Sequence, residues 1–122
     1  MHAAVRLLIA MEIFGAAALL AVPAQAHAAL LLSDPAAGST VAAPKEIRLT
    51  FSEKVAQAFS GFDITMDDGM SVRLTGRLSE DGKTIIGTPT GPLASGAWKV
   101  SWHAASVEDG HRMEGSFKFT VK

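Results

Sequence analysis

Three observations predict an all-β fold, a sandwich or barrel of short strands. Apolar side chains recur with a period of two, clusters of Gly, Pro and Asp interrupt that pattern every 8–12 residues or so, and helical spacing is nowhere sustained. The first strand is expected over 28–33, leading into the turn Asp34-Pro35-Ala36-Ala37-Gly38-Ser39. In the second, 46–52, Ile47, Leu49 and Phe51 alternate with Arg48 and Thr50, the pattern of a half-buried strand. Segment 53–60 is open to three readings: an edge strand, a short helical turn or a loop. Strand 61–66 alternates Phe62, Ile64 and Met66 with Asp63 and Thr65, and Asp67-Asp68-Gly69 ends it. In 71–78, Val72 and Leu74 flank Arg73, and Glu80-Asp81-Gly82-Lys83 then supplies a turn. Strand 83–88 runs into Thr88-Pro89-Thr90-Gly91-Pro92. Trp98, Val100 and Trp102 set the inward phase of 97–104, as Phe117, Phe119 and Val121 do for 115–121. The total of about seven strands is the usual number for an immunoglobulin-like Greek key.

The N-terminus carries a different pattern. Arg6, the apolar run Ile13 to Val22, the helix-breaking Pro23 and the small residues of Ala24-Gln25-Ala26 together read as an export signal, with Glu12 as one charge at the edge of the run. The run is shorter than the roughly 20 apolar residues of a membrane-spanning helix. Two units follow: a signal peptide over 1–26 and one domain over 27–122, of 96 residues, enough for one small core. The leader removes one base, Arg6, and one acid, Glu12, so the 11 Lys+Arg and 12 Asp+Glu of the full chain become 10 and 11. Such a near-neutral domain has no basic excess to neutralise phosphates, which argues against a nucleic-acid partner. Cysteine is absent, so the core must hold without disulfides, and metal sites are confined to nitrogen, oxygen and thioether donors.

Cleavage after Ala26 would make His27 the first residue, offering its α-amine and imidazole Nδ1 to one ion as a small chelate. Asp109 and His111 stand two apart across Gly110, a spacing that turns both side chains to one side. Amine, two imidazoles and a carboxylate suit copper(II), which favours tetragonal nitrogen and oxygen ligation. The plainer reading makes Asp109-Gly110 a turn beside an exposed histidine and His27 an incidental surface residue. His103 opposes Trp98, Val100 and Trp102 in parity and faces away from the core, either merely exposed or orienting another ligand. Glu108 is a stand-in carboxylate or a solvated charge. Met66, Met70 and Met113 could supply thioethers to copper(I), but Met66 has core phase and the three are not clustered in sequence. No nucleophile elbow, glycine-rich phosphate loop or HExxH motif is present.

The segments His27-Ala28-Ala29-Leu30, Ser33 to Ser39, Leu49 to Val55, Asp109-Gly110-His111 and Gly115 to Val121 together resemble the CopC-type periplasmic copper resistance family over nearly the whole mature chain. That resemblance implies an immunoglobulin-like Greek-key β-sandwich that binds one copper(II) ion in the periplasm as a monomeric carrier or buffer and hands it to an inner-membrane partner of the CopD type. Carried over by residue, the metal ligands fall on His27, Asp109 and His111. Two departures stand out. The family commonly places its aspartate two residues after a serine, whereas Val107 and Glu108 both stand between Ser106 and Asp109. The methionine-rich segment of some members is missing, since Val55 to Gly61 holds no thioether, which implies the copper(II)-only subtype. Two rival functions are a histidine-brace copper oxidative enzyme and a metal-free exported immunoglobulin-like interaction module. Small size and eight aromatics in the full sequence, most in core phase, leave the enzyme without a substrate platform.

Overall fold

The computed structural model describes residues 28–122; the signal peptide expected over 1–26 and the ligand expected at His27 lie outside them. Nine strands follow in order: β1 Leu30–Asp34, β2 Thr40–Val41, β3 Ile47–Phe51, β4 Gly61–Met66, β5 Ser71–Val72, β6 Leu74–Leu78, β7 Thr84–Pro89, β8 Gly96–Ala105 and β9 Arg112–Val121. They form a two-layer Greek-key sandwich, one sheet ordered β1-β3-β7-β6 and the other β2-β9-β8-β4-β5. Every pairing is antiparallel except that of β2, which lies parallel to the end of β9.

The strand count departs from expectation in two places. Segment 71–78 is two strands, because the chain leaves one sheet at Arg73 and enters the other: β5 pairs with β4, and β6 pairs with β7. Alternation of Val72, Arg73 and Leu74 runs straight through the crossing, so the sequence pattern carries no mark of it. The additional strand, β2, is only two residues long and joins the sheet through Thr40 and Val41 opposite Thr120 and Val121. Within 53–60, Val55 makes an isolated bridge to Ser106 and Gln57–Phe59 is a single 3₁₀ turn.

The inward phases meet as the alternation requires. Ile47, Leu49 and Phe51 from one sheet pack against Ile64, Trp98, Val100, Phe119 and Val121 from the other, all buried. Burying such side chains contributes about 1.5–3 kcal/mol each before conformational entropy is counted. Phe51 meets Trp102 edge to face, with ring centroids 5.3 Å apart and planes at 67°. Two glycines give the aromatics room. A Cβ on Gly87 would lie 2.5 Å from Phe62 Cζ, and one on Gly115 would lie 2.7 Å from Trp102 Cζ2. On the opposite face of β7, Ile86 stands in register between Arg48 and Arg77, yet it is only 2% exposed. Both guanidiniums bond to Glu46, at 3.2 and 3.3 Å, which lays their aliphatic stems on either side of Ile86.

The β6–β7 hairpin is closed by Asp81, whose carboxylate accepts from Ser79 Oγ at 2.6 Å and from the Lys83 amide at 3.0 Å. These bonds hold its carboxyl below the ordinary value of 3.8. Their contribution is therefore present above the carboxylate range and fades as pH falls through the folded value.

Gly87→Ala is expected to destabilise the domain by about 1–3 kcal/mol, because the new methyl meets a packed ring. Phe62→Leu in the same chain should recover part of that loss. Urea unfolding midpoints of the two variants check this, and an unchanged midpoint for Gly87→Ala would contradict the ring-over-glycine packing.

Candidate metal centre

Asp109, Gly110 and His111 lie in the connection between β8 and β9, the two longest strands and partners over ten residue pairs from Gly96↔Val121 to Ala105↔Arg112. A long ladder fixes where its connecting turn projects. Ser106 N–H donates to His111 C=O at 3.2 Å, carrying the pairing one step further, and Gly110 N–H donates back to Ser106 C=O at 2.8 Å. Gly110 has φ +70°, a conformation that costs glycine little and other residues more. The Asp109 carboxylate accepts from the His111 amide at 2.9 Å, so the two candidate ligands are tied within one Asx turn. Both side chains are exposed.

Ser106 anchors the turn to the body. It is 1% exposed, the buried polar residue among the described residues. Its hydroxyl donates to Glu53 Oε1 at 2.8 Å and accepts from the Glu108 amide at 3.1 Å. Val107 N–H donates to Lys54 C=O at 3.0 Å, and Ala56 N–H to Ala105 C=O at 2.8 Å. Segment 52–56 is therefore stitched to the turn along its length. On its other side the same segment meets the start of the described chain: Ser52 N–H donates to Ala29 C=O at 2.8 Å, and Ala29 N–H donates to Ser52 Oγ at 2.9 Å. Ala28, one residue earlier, is fully buried within the core cluster. One continuous path thus runs from Ala29 through Ser52 and Glu53 to Ser106 and the Asp109–His111 turn.

His103 is half-buried on the outer face of β8, in register with Gly61 and Glu114, as its parity predicts. A Cβ on Gly61 would sit 3.8 Å from its Cε1. Glu108 lines a surface cleft with Glu53, Lys54, Lys83 and Val107. Among the described residues no three of His, Asp and Glu gather closely enough to hold an ion, so neither His103 nor Glu108 completes a site with Asp109 and His111. The turn by itself offers one imidazole and one carboxylate.

Sequence reasoning placed Asp109 and His111 together but missed Ser106 and Glu53 as the residues that seat them. A lone serine at the end of a strand has no periodic signature. The available signal was its in-phase position after Trp102 and Ala104, which points a hydroxyl inward where a partner is required.

Comparison with known proteins bears on the same residues. Positions 30–122 match the CopC domain. Copper resistance protein C of Pseudomonas syringae pv. tomato is 40% identical over 117 residues, covering 90% of this chain and 92% of its own length. Among solved structures, PcoC, a copper resistance protein from Escherichia coli, superposes with a TM-score of 0.73 at 37% identity, over 77% of this chain and 99% of that one. CopC from Methylosinus trichosporium OB3b gives 0.70 at 31% identity, over 79% and 94%.

Ser106→Ala is expected to cost about 1.5–3 kcal/mol, the range for hydrogen bonds to charged groups. Amide exchange at Glu108 should quicken at the same time. Unfolding midpoints together with exchange rates test this, and an unaltered Glu108 rate would show that the hydroxyl does not hold the turn. With its sandwich, its β8–β9 turn and the match over 30–122, this chain belongs to the CopC family.

Proposed function

We propose that the chain is a periplasmic copper(II) carrier or buffer serving copper resistance, with one ion held by the amine and imidazole of His27, the carboxylate of Asp109 and the imidazole of His111. The observation that carries this reading is the path from Ala29 through Ser52, Glu53 and Ser106 to the turn. It brings the start of the domain and the late Asp-Gly-His turn to one pole of the sandwich. Successive Cα atoms are about 3.8 Å apart, so a terminus two residues before Ala29 is within reach of that pole. Copper(II) stands highest among divalent first-row ions for such nitrogen and oxygen donors, which gives the donor set its preferred cargo. The similarity to proteins named for copper resistance supports the same cargo.

The role is transport and storage rather than catalysis. Asp109 adds a negative charge at the ion and favours its oxidised form. A monomer that releases its ion to an inner-membrane protein of the CopD type fits a small domain whose ligands lie on an exposed turn. Export depends on the leader over 1–26, whose removal after Ala26 creates the terminal chelate.

Processed protein beginning at His27 should take up one equivalent of copper(II) and gain apparent stability, because the ion binds only the folded state. A chain with one residue added before His27 should bind far more weakly. Titration by calorimetry compares the two, and equal affinities would remove the terminal amine from the ligand set.

Binding should also weaken below about pH 5, since imidazole and amine must be neutral to coordinate and protons then compete with the ion. Spectroscopic titrations across that range test this sign. A flat profile would exclude both donors.

A further inference from the structure

We propose that His103 and Glu114, paired across β8 and β9 on the outer face of the sandwich, form a second and weaker copper(II) site, separate from the ligands at the turn. The choice of ion rests on the carrier reading, whereas the donor pair rests on strand register.

Register decides where both side chains lie. Trp102 and Ala104, on either side of His103, pack on the core, so His103 turns outward. A Cβ on Gly115 would lie 2.7 Å from Trp102 Cζ2, which puts Gly115 on the inner face and Glu114 beside it on the outer one. The two are directly opposite in the ladder. Ser106 N–H points across to His111 C=O on the β9 side, whereas Ala105 N–H points the other way, to Ser60 Oγ beside β4. These directions alternate along a strand, so the backbone of His103 also points to β4. His103 and Glu114 are therefore a pair without mutual backbone bonds, the closer kind, with Cα atoms about 4.5 Å apart. At that separation an imidazole and a carboxylate on one face reach a single ion.

The surroundings leave room for it. Gly61 flanks His103 on β4, and even a Cβ there would lie 3.8 Å from His103 Cε1, so no side chain covers the ring from that side. The ring is half-buried, which holds it to the sheet, and among the described residues it makes no hydrogen bond or ion pair. Glu114 is 71% exposed and meets Arg112 Nε at 3.7 Å, a loose surface contact that an ion displaces at little cost. Exposed Asp63 stands on the diagonal from His103, opposite Ser101, and adds negative charge to the same face. Two protein donors leave the other positions of a tetragonal copper(II) ion to water or to an incoming ligand, which suits weak binding and fast exchange. Glu114 lies three residues beyond His111, about 10 Å along an extended strand, so the two sites share no donor.

The test titrates the processed protein with copper(II) beyond one equivalent, followed by calorimetry and electron paramagnetic resonance. Wild type should show a weaker step after the first, its spectrum carrying a single imidazole nitrogen. His103→Gln should abolish that step. Glu114→Gln should weaken it at least about tenfold, the lower end of what losing even an outer partner costs a metal site. Neither variant should move the first step by more than about twofold, or the urea midpoint, because the sites share no residue. Asp63→Asn should leave the second step within about threefold, since its charge acts through screened solvent. The proposal is overturned if wild type stops at one equivalent, if the second step survives His103→Gln, if Asp63→Asn carries the loss, or if His103→Gln weakens both steps alike. A wild type that lacks the strong first step but keeps a His103-dependent weak one would sink the carrier reading and leave this site standing.

Discussion

The hydrogen bond from the Ser106 hydroxyl to Glu53, 2.8 Å long and shut away from water on the serine side, is the joint on which the site depends. The β8–β9 turn is also tied to segment 52–56 by Val107 N–H to Lys54 C=O and Ala56 N–H to Ala105 C=O. Together these bonds clamp the turn to segment 52–56, which is itself fixed to the β6–β7 connection through Val55 N–H to Gly82 C=O, beside Phe51 N–H to Lys83 C=O. The first described residues dock on the same segment through Ser52. A metal site assembled from both ends of the chain, as proposed, would need such a shared abutment.

The sandwich supplies the abutment by a packing rule rather than by polar contacts. Its two sheets approach closely because large rings on one strand sit over glycines on another: Phe62 over Gly87 between sheets, Trp102 over Gly115 within one. Trp102 then meets Phe51 across the core, at the end of β3 from which Ser52 and Glu53 emerge. Aromatic packing at that pole thereby sets the position of the residues that seat the turn. In a chain with no cysteine, this part of the core holds without the help of a disulfide.

Most of this architecture was legible in the residues, and what was not has a physical reason. Alternation identified β3, β4, β8 and β9 because each buries one face. The crossing at Arg73 was invisible, since a strand that changes sheets keeps its phase. Two-residue β2 was invisible because Thr40 and Val41 are too few to show a period, and their pairing depends on β9 far along the chain. Strand 83–88 showed no phase in the sequence, and Ile86 is buried on the face of β7 away from the core, between Arg48 and Arg77. At the site, Asp109-Gly110-His111 announced a turn through its own chemistry, and His103 faced outward as its parity required. Glu53 and Ser106 are 53 residues apart, and nothing short of the fold brings them together.

The location of the proposed ligands Asp109 and His111 on a turn rather than inside a sheet would have a consequence for a bound ion. Buried sites hold metals by enclosing them and release them slowly, whereas Asp109 and His111 are exposed and held in geometry by backbone bonds of the turn itself. Preorganisation then comes from Gly110 and the Asx bond. A carrier of the proposed kind must bind firmly yet surrender its ion, and a rigid turn on a clamped strand pair would meet both demands.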